Sequence, residues 1–136
     1  MKKLLIVDDE KVFTQAMARL FTQKNFHVTV ASNGFEAIDA LKEVEPDIII
    51  SDILMPNSDG IELLLYIKKN KIKTPVIAIS GGGRLSSIDY LKMAERFGAT
   101  ATLNKPVSFD ELLVTVKQIL QEESLQNPLT LDQKTS

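Results

Sequence analysis

Leu4-Leu5-Ile6-Val7-Asp8-Asp9-Glu10 decides the fold: an apolar run stops abruptly at three acids. A run this short and rich in branched residues reads as a strand, since a helix needs roughly ten residues or more. The same form recurs at Val28–Ala31, Ile48–Ile50, Val76–Ile79 and Ala99–Leu103. Between the runs the apolar spacing changes to a period near 3.6, which makes a stripe that packs on a sheet. Phe13, Ala16, Met17, Leu20 and Phe21 share one such face, and Phe109, Leu112, Leu113, Val116 and Leu120 another. Asn33 with Glu36, Asp59 with Glu62, and Ser108 with Glu111 place a capping oxygen three residues before a carboxylate, a helix-start signal. Asn25 and Gly98 suit the left-handed conformation that ends a helix.

Five strand-then-helix units predict a parallel sheet with helices on both faces. Runs one, three and four are apolar throughout, as strands covered on both faces should be. Thr29, Thr100 and Thr102 interrupt runs two and five, which suits edge strands. The expected architecture is a doubly wound (βα)5, flavodoxin-like sheet of order 2-1-3-4-5, which binds ligands beyond the carboxyl ends of its strands.

With 136 residues the chain is expected to form one domain, over residues 1–122. Residues 123–136 lose the pattern and read as a disordered tail or the start of a linker. Apolar content of 44% and charged content of 25% are those of an ordinary globular domain. The net charge of -2 offers no basic field for nucleic acid or acidic membranes. There is no cysteine, which excludes disulfides, thiolate metal sites and cysteine nucleophiles. No apolar run approaches the roughly 20 residues of a membrane span. The acids from Asp8 onward come too soon for a signal peptide. A cytoplasmic protein is the simplest expectation.

The polar residues at the strand ends carry the chemistry. Asp8 and Asp9 follow run one, Asp52 ends run three, Ser80 follows run four, and Lys105 with Pro106 follows run five. All fall at one edge of the sheet. Three carboxylates there repel one another, by roughly 4 kcal/mol per pair at about 4 Å and an effective dielectric near 20. Oxygen ligands without His or Cys favour a hard cation, magnesium above all. Lys105 adds positive charge, and the Ser80 hydroxyl can donate to an anion. Together they would hold a phosphoryl group on Asp52 and neutralise its oxygens.

Ile6-Val7-Asp8-Asp9-Glu10, Ile49-Ile50-Ser51-Asp52-Ile53-Leu54-Met55-Pro56 with Asp59-Gly60, Ile79-Ser80-Gly81, and Asn104-Lys105-Pro106 stand in this order. In these motifs the chain resembles the response-regulator receiver domains of two-component signalling, chemotaxis receivers among them, over about residues 2–122. The resemblance implies that Asp52 is the phosphoacceptor. Asp9 would bind Mg2+ directly, Asp8 largely through water, and Leu54 through its backbone carbonyl. Ser80 would be the switch hydroxyl and Lys105 the phosphate-contacting lysine, and the Lys105–Pro106 bond would be cis. The phosphoryl donor would be a histidine kinase or a histidine phosphotransfer domain. A downstream protein or a second copy would dock on the face of the fourth helix, fifth strand and fifth helix. Neither direct nucleic-acid binding nor membrane insertion is expected.

Each residue also has a plainer reading. Asp9 alone suits an N-cap, Ser80 before Gly81, Gly82 and Gly83 suits a turn, and Lys105 alone suits a solvated surface. Lys68, Lys69, Lys71 and Lys73 read as cations favoured by a helix end rather than as a nucleic-acid patch. His27 lies away from the acids and has no assigned role. The chain departs from the family at Thr102, where an aromatic ring is common, and at Ser80, where threonine is frequent. The glycines from Gly81 to Gly83 are expected to make a permissive loop, with Tyr90 or the backbone replacing the missing ring movement. The rival readings are a phospho-independent interaction module, a small magnesium-dependent phosphatase-type enzyme and a flavin binder of similar architecture. The module would lack an acid or the lysine, the enzyme would need a substrate-binding insertion, and the flavin phosphate would be repelled by the acids.

Overall fold

The computed structural model describes residues 1–53, 60–81 and 87–125, with backbone only at 87–91 and 122–125. Strands and helices alternate as β1 (Lys2–Val7), α1 (Lys11–Gln23), β2 (Phe26–Ala31), α2 (Gly34–Glu43), β3 (Ile48–Asp52), α3 (Gly60–Lys69), β4 (Val76–Ser80), α4 (Ser87–Arg96), β5 (Ala101–Asn104) and α5 (Phe109–Leu125). The sheet order is β2-β1-β3-β4-β5, and every pairing is parallel. β1, β3 and β4 are the inner strands, and the threonine-bearing β2 and β5 are the edges.

Strand side chains alternate between faces, and the core divides accordingly. Leu4, Ile6, Ile48, Ile50, Ile77 and Ile79 point to the face covered by α1 and α5. Leu5, Val7, Ile49 and Ala78 point to the face that receives Ala37 of α2, Leu63 and Leu64 of α3, and Ala94 of α4. Full burial on both faces is why these strands carry no alternation. Phe21 is fully buried and meets Phe26 and Phe109 edge-on, at 5.4 and 4.9 Å between ring centres. Its truncation to alanine would cost about 3–5 kcal/mol.

The caps follow the sequence in part. Asn33 accepts from the Glu36 N–H at 2.9 Å, and Glu36 reaches back to the Ser32 N–H. Ser108 accepts from the Glu111 N–H at 3.1 Å. Asp59 lies outside the described residues. Asn25 and Gly98 have positive φ, as expected, and so does Lys71. Ala99 belongs to the end of α4 rather than to β5, because its N–H donates to Ala94 O and closes the helix. Ala16 is exposed and Thr14 is buried in its place. α5 continues to Leu125, past the boundary expected at residue 122. Among the described residues no helix is long and apolar enough to cross a membrane.

Candidate functional site

The parallel sheet places the carboxyl ends of β1, β3, β4 and β5 side by side. Asp8, one residue past β1, is anchored by its own N–H to Ala31 O at the end of β2. Its carboxylate is only 2% exposed. It accepts from the Glu10 N–H at 2.9 Å and from Lys105 Nζ at 2.8 Å. Asp52, the last residue of β3, is also buried. Lys105 Nζ stands 3.4 Å from Asp52 Oδ2 and 2.7 Å from Glu10 Oε1, so one ammonium faces three carboxylates. Its charge also lies over the Phe13 ring, 5.1 Å from the centre, a favourable cation–π geometry.

Burial and pairing oppose one another here. Burial pushes the Asp8 carboxyl above its ordinary range, against the Lys105 hydrogen bond and the Glu10 N–H. Burial also disfavours the Lys105 ammonium, but hydrogen bonds to Asp8 and Glu10 and the charge of Asp52 outweigh it, so its pKa is raised. The lysine therefore stays charged at any physiological pH. Among the described residues the site remains over-supplied with negative charge, since Lys105 alone is paired with three acids.

Two glycines make this geometry possible. A Cβ on Gly81 would lie 2.5 Å from Lys105 Cδ and 2.7 Å from Lys105 Cβ. Gly81 is thus a gap through which the lysine stem passes, and no left-handed backbone is involved. The Lys105 N–H donates to Ser80 O at 2.9 Å, tying the same two loops together. A Cβ on Gly60 would lie 2.5 Å from Asp52 O, and the Gly60 N–H donates to Ile53 O. The start of α3 thereby presses on the backbone of the acid.

The Ser80 hydroxyl is fully buried and has no hydrogen-bond partner among the described residues. A hydroxyl stranded in this way costs about 1–3 kcal/mol. An incoming anion would satisfy it.

Of the residues singled out in the sequence, Asp8, Asp52 and Lys105 converge. Asp9 is exposed and outside the cluster, and the third carboxylate is Glu10. Glu10, not Asp9, is the N-cap of α1, and its side chain caps nothing. Oxygens of Asp8, Glu10 and Asp52 lie within 4.8 Å of one another. An all-carboxylate set with no nitrogen or sulfur donor fits a hard divalent cation. Leu54, Gly82 and Gly83 lie outside the described residues, as does the Tyr90 side chain. Pro106 follows a cis bond. Thr102 is half-buried on β5, and its hydroxyl donates to Glu95 of α4 at 3.4 Å. Glu10 and Gly60 stand in the quoted motifs and Phe13 on a helix stripe, but the sequence assigns none of them a role at the site, because each acts there through a contact that the fold makes.

The response regulator receiver domain model matches residues 4–117. The chain belongs to that family. It is 36% identical to "Probable transcriptional regulator ycf29" of Pyropia yezoensis, over 97% of this chain and 61% of the relative. It is 31% identical to the regulatory protein AtoC of Escherichia coli, over 93% of this chain and 27% of AtoC. The chain thus spans only part of the length of these regulators. The receiver domain of the Francisella response regulator 1452 superposes with a TM-score of 0.81 at 33% identity, covering 90% of this chain and 99% of that one. A CheY-like receiver domain protein from Methanospirillum hungatei superposes at 0.85 with 24% identity, covering 93% and 99%, and bears on the fold alone. The family supports phosphoacceptor signalling, and the cluster of Asp8, Glu10 and Asp52 is compatible with magnesium.

Proposed function

We propose that Asp52 accepts a phosphoryl group from a phosphohistidine on a histidine kinase or histidine phosphotransfer domain, and that the modified receiver then changes its docking face. The observation that carries this reading is a buried Asp52 within reach of the Lys105 ammonium, beside a buried Ser80 hydroxyl that lacks a partner among the described residues.

In the transfer a carboxylate oxygen of Asp52 forms a bond to phosphorus as the bond from phosphorus to the donor imidazole breaks. The bonding pair stays with the imidazole nitrogen. Lys105 leaves its contact with Asp52 to meet a phosphoryl oxygen, and the Ser80 hydroxyl donates to another. Asp8, Asp9 and Asp52, with the Leu54 carbonyl, would hold Mg2+, which when bound supplies positive charge against the phosphoryl oxygens. The product adds about -1.5 to -2 charges and three acceptor oxygens. Ser80 and Lys105 answer that charge and pull Gly81 and β5 with them. The change would reach the face of α4, β5 and α5, where a downstream protein or a second copy would dock. Thr102 replaces the larger ring, so the displacement there is small. The role is that of a regulatory phosphoacceptor acting in the cytoplasm, without contact to nucleic acid by this domain.

The test is intact-mass spectrometry after incubation with acetyl phosphate and Mg2+. One added phosphoryl is expected, and none in Asp52→Asn. Equal labelling of the variant would remove Asp52 from its role.

A further inference from the structure

At the end of the sheet away from Asp52, α3 and α4 finish side by side over a cavity of about 650 Å3. Lys68, Lys71, Lys73 and Arg96 ring it, above the half-buried Ile72 and Phe97. No Asp or Glu lines it, and none of these four cations is in a salt bridge among the described residues.

The helix dipole accounts for Lys68 and Arg96, which lie in the last turns of α3 and α4. It favours Lys71 as well but does not account for its backbone. That residue closes α3 with φ 55, in the left-handed region. Its N–H donates to Lys68 O and the Ile72 N–H to Ile67 O, at 3.2 and 3.0 Å, the paired bonds of a Schellman ending. α4 ends at the same cavity with equivalent bonds, from Gly98 to Glu95 O and from Ala99 to Ala94 O. There the left-handed residue is Gly98, with φ 103. Glycine suits such a position because any Cβ crowds the neighbouring carbonyl. Two identical endings share one cavity, and only one carries a strained side chain. Glycine would terminate α3 at least as well. What Lys71 adds is an ammonium at the cavity, and retained strain of this kind points to function.

We propose that this cavity binds a small polyphosphorylated ligand with an aromatic body, of the nucleoside polyphosphate class, at a site separate from Asp52. The volume falls in the range of small-molecule sites, about 300–1,000 Å3. Lysine ammoniums are point-charge partners for phosphate and Arg96 a forked one. The half-buried Phe97 ring offers a planar base a face to stack on. Across the Lys71–Pro75 loop the adjoining cavity, which Lys71 and Lys73 also line, carries Glu45 and Asp47. The positive field therefore stops at the loop, which favours a compact anion over an extended acidic chain.

The experiment is NMR of the labelled 136-residue chain titrated with ATP in metal-free buffer. Saturable amide shifts are expected at positions 67–75 and 96–100, with ATP binding about tenfold tighter than either tripolyphosphate or adenosine. Lys71→Gly should weaken ATP binding about tenfold. The same variant should melt about 2–4 °C higher, because the strained position is relieved. A raised melting point shows that the fold is intact and assigns the lost affinity to the lost ammonium. Lys73→Gln, which leaves the backbone alone, should weaken binding too. Absence of shifts at this pole, or unchanged affinity in Lys71→Gly, would overturn the site. Tripolyphosphate or an acidic peptide binding as tightly as ATP would overturn the ligand class.

Discussion

Replacing Lys105 by methionine keeps most of the stem that passes Gly81 and removes the ammonium that faces Asp8, Glu10 and Asp52. At an effective dielectric near 20, the contact with Asp8 at 2.8 Å is worth about 6 kcal/mol and that with Asp52 at 3.4 Å about 5 kcal/mol before desolvation. Glu10 is largely exposed, so its contact is screened and adds little. Burial of the ammonium offsets much of the gross gain, and removal of one partner from a buried pair costs about 3–5 kcal/mol. Protonation sets a ceiling. Asp8, freed of its partner, can take up a proton, which costs about 4 kcal/mol at pH 7 from an ordinary value near 3.9 and almost nothing at pH 4. The sign follows from the direction of the shift. Burial already raises the Asp8 pKa in the folded protein, so its contribution to stability is present below the unfolded value and lost as pH rises through the folded one. Without Lys105 the folded value rises further. Urea unfolding of Lys105→Met in metal-free buffer should show a loss of about 3–4 kcal/mol at pH 7, shrinking below about 1 kcal/mol near pH 4. Asp8→Asn in the same background should recover most of the loss at pH 7. A deficit that is the same at both pH values would show that packing, not charge, explains the lysine.

Gly81→Ala drives a methyl into the Lys105 stem and should cost about 1–3 kcal/mol, with slower labelling by acetyl phosphate; unchanged labelling and melting would show that the two loops separate freely. Ser80→Ala removes a buried hydroxyl without a partner among the described residues, so it should raise metal-free stability by about 1 kcal/mol while diminishing the NMR response to beryllofluoride. A loss of stability would mean that the hydroxyl already has a partner. Magnesium titration followed by NMR should show affinity lowered about tenfold in Asp9→Ala and nearly unchanged in Glu10→Gln, since Glu10 is held by Lys105. The opposite ranking would make Glu10 the third ligand. In the unmodified protein the Lys105 contribution should persist to strongly alkaline pH, because its raised pKa keeps the ammonium charged after an unfolded lysine would lose its proton; a stability drop centred near pH 9 would contradict this.

The strand ends were readable because sequence order and sheet geometry coincide in this fold. An apolar run ending at Asp52 or Ser80 must release its polar residue at the carboxyl edge, and parallel pairing gathers all such edges. The order of the strands was equally legible, since burial on both faces leaves Ile48, Ile49 and Ile50 without a polar partner in the run. Boundaries were less so. Ala99 looks like strand by composition, yet the left-handed Gly98 turns it into the end of a helix.

The sequence by itself determined the doubly wound sheet and the acids and lysine at its carboxyl edge, because period, run length and strand-end chemistry are local properties of the chain, and its four motifs carried the resemblance to the receiver family. Only the tertiary structure decided that Glu10 rather than Asp9 meets Lys105, that Gly81 is a passage for the lysine stem, and that the Ser80 hydroxyl is stranded. It alone also joined Lys71 to Arg96 around one cavity. These depend on which side chains approach from distant parts of the chain and on the space left between them, and neither distance nor space is encoded in residue type or spacing.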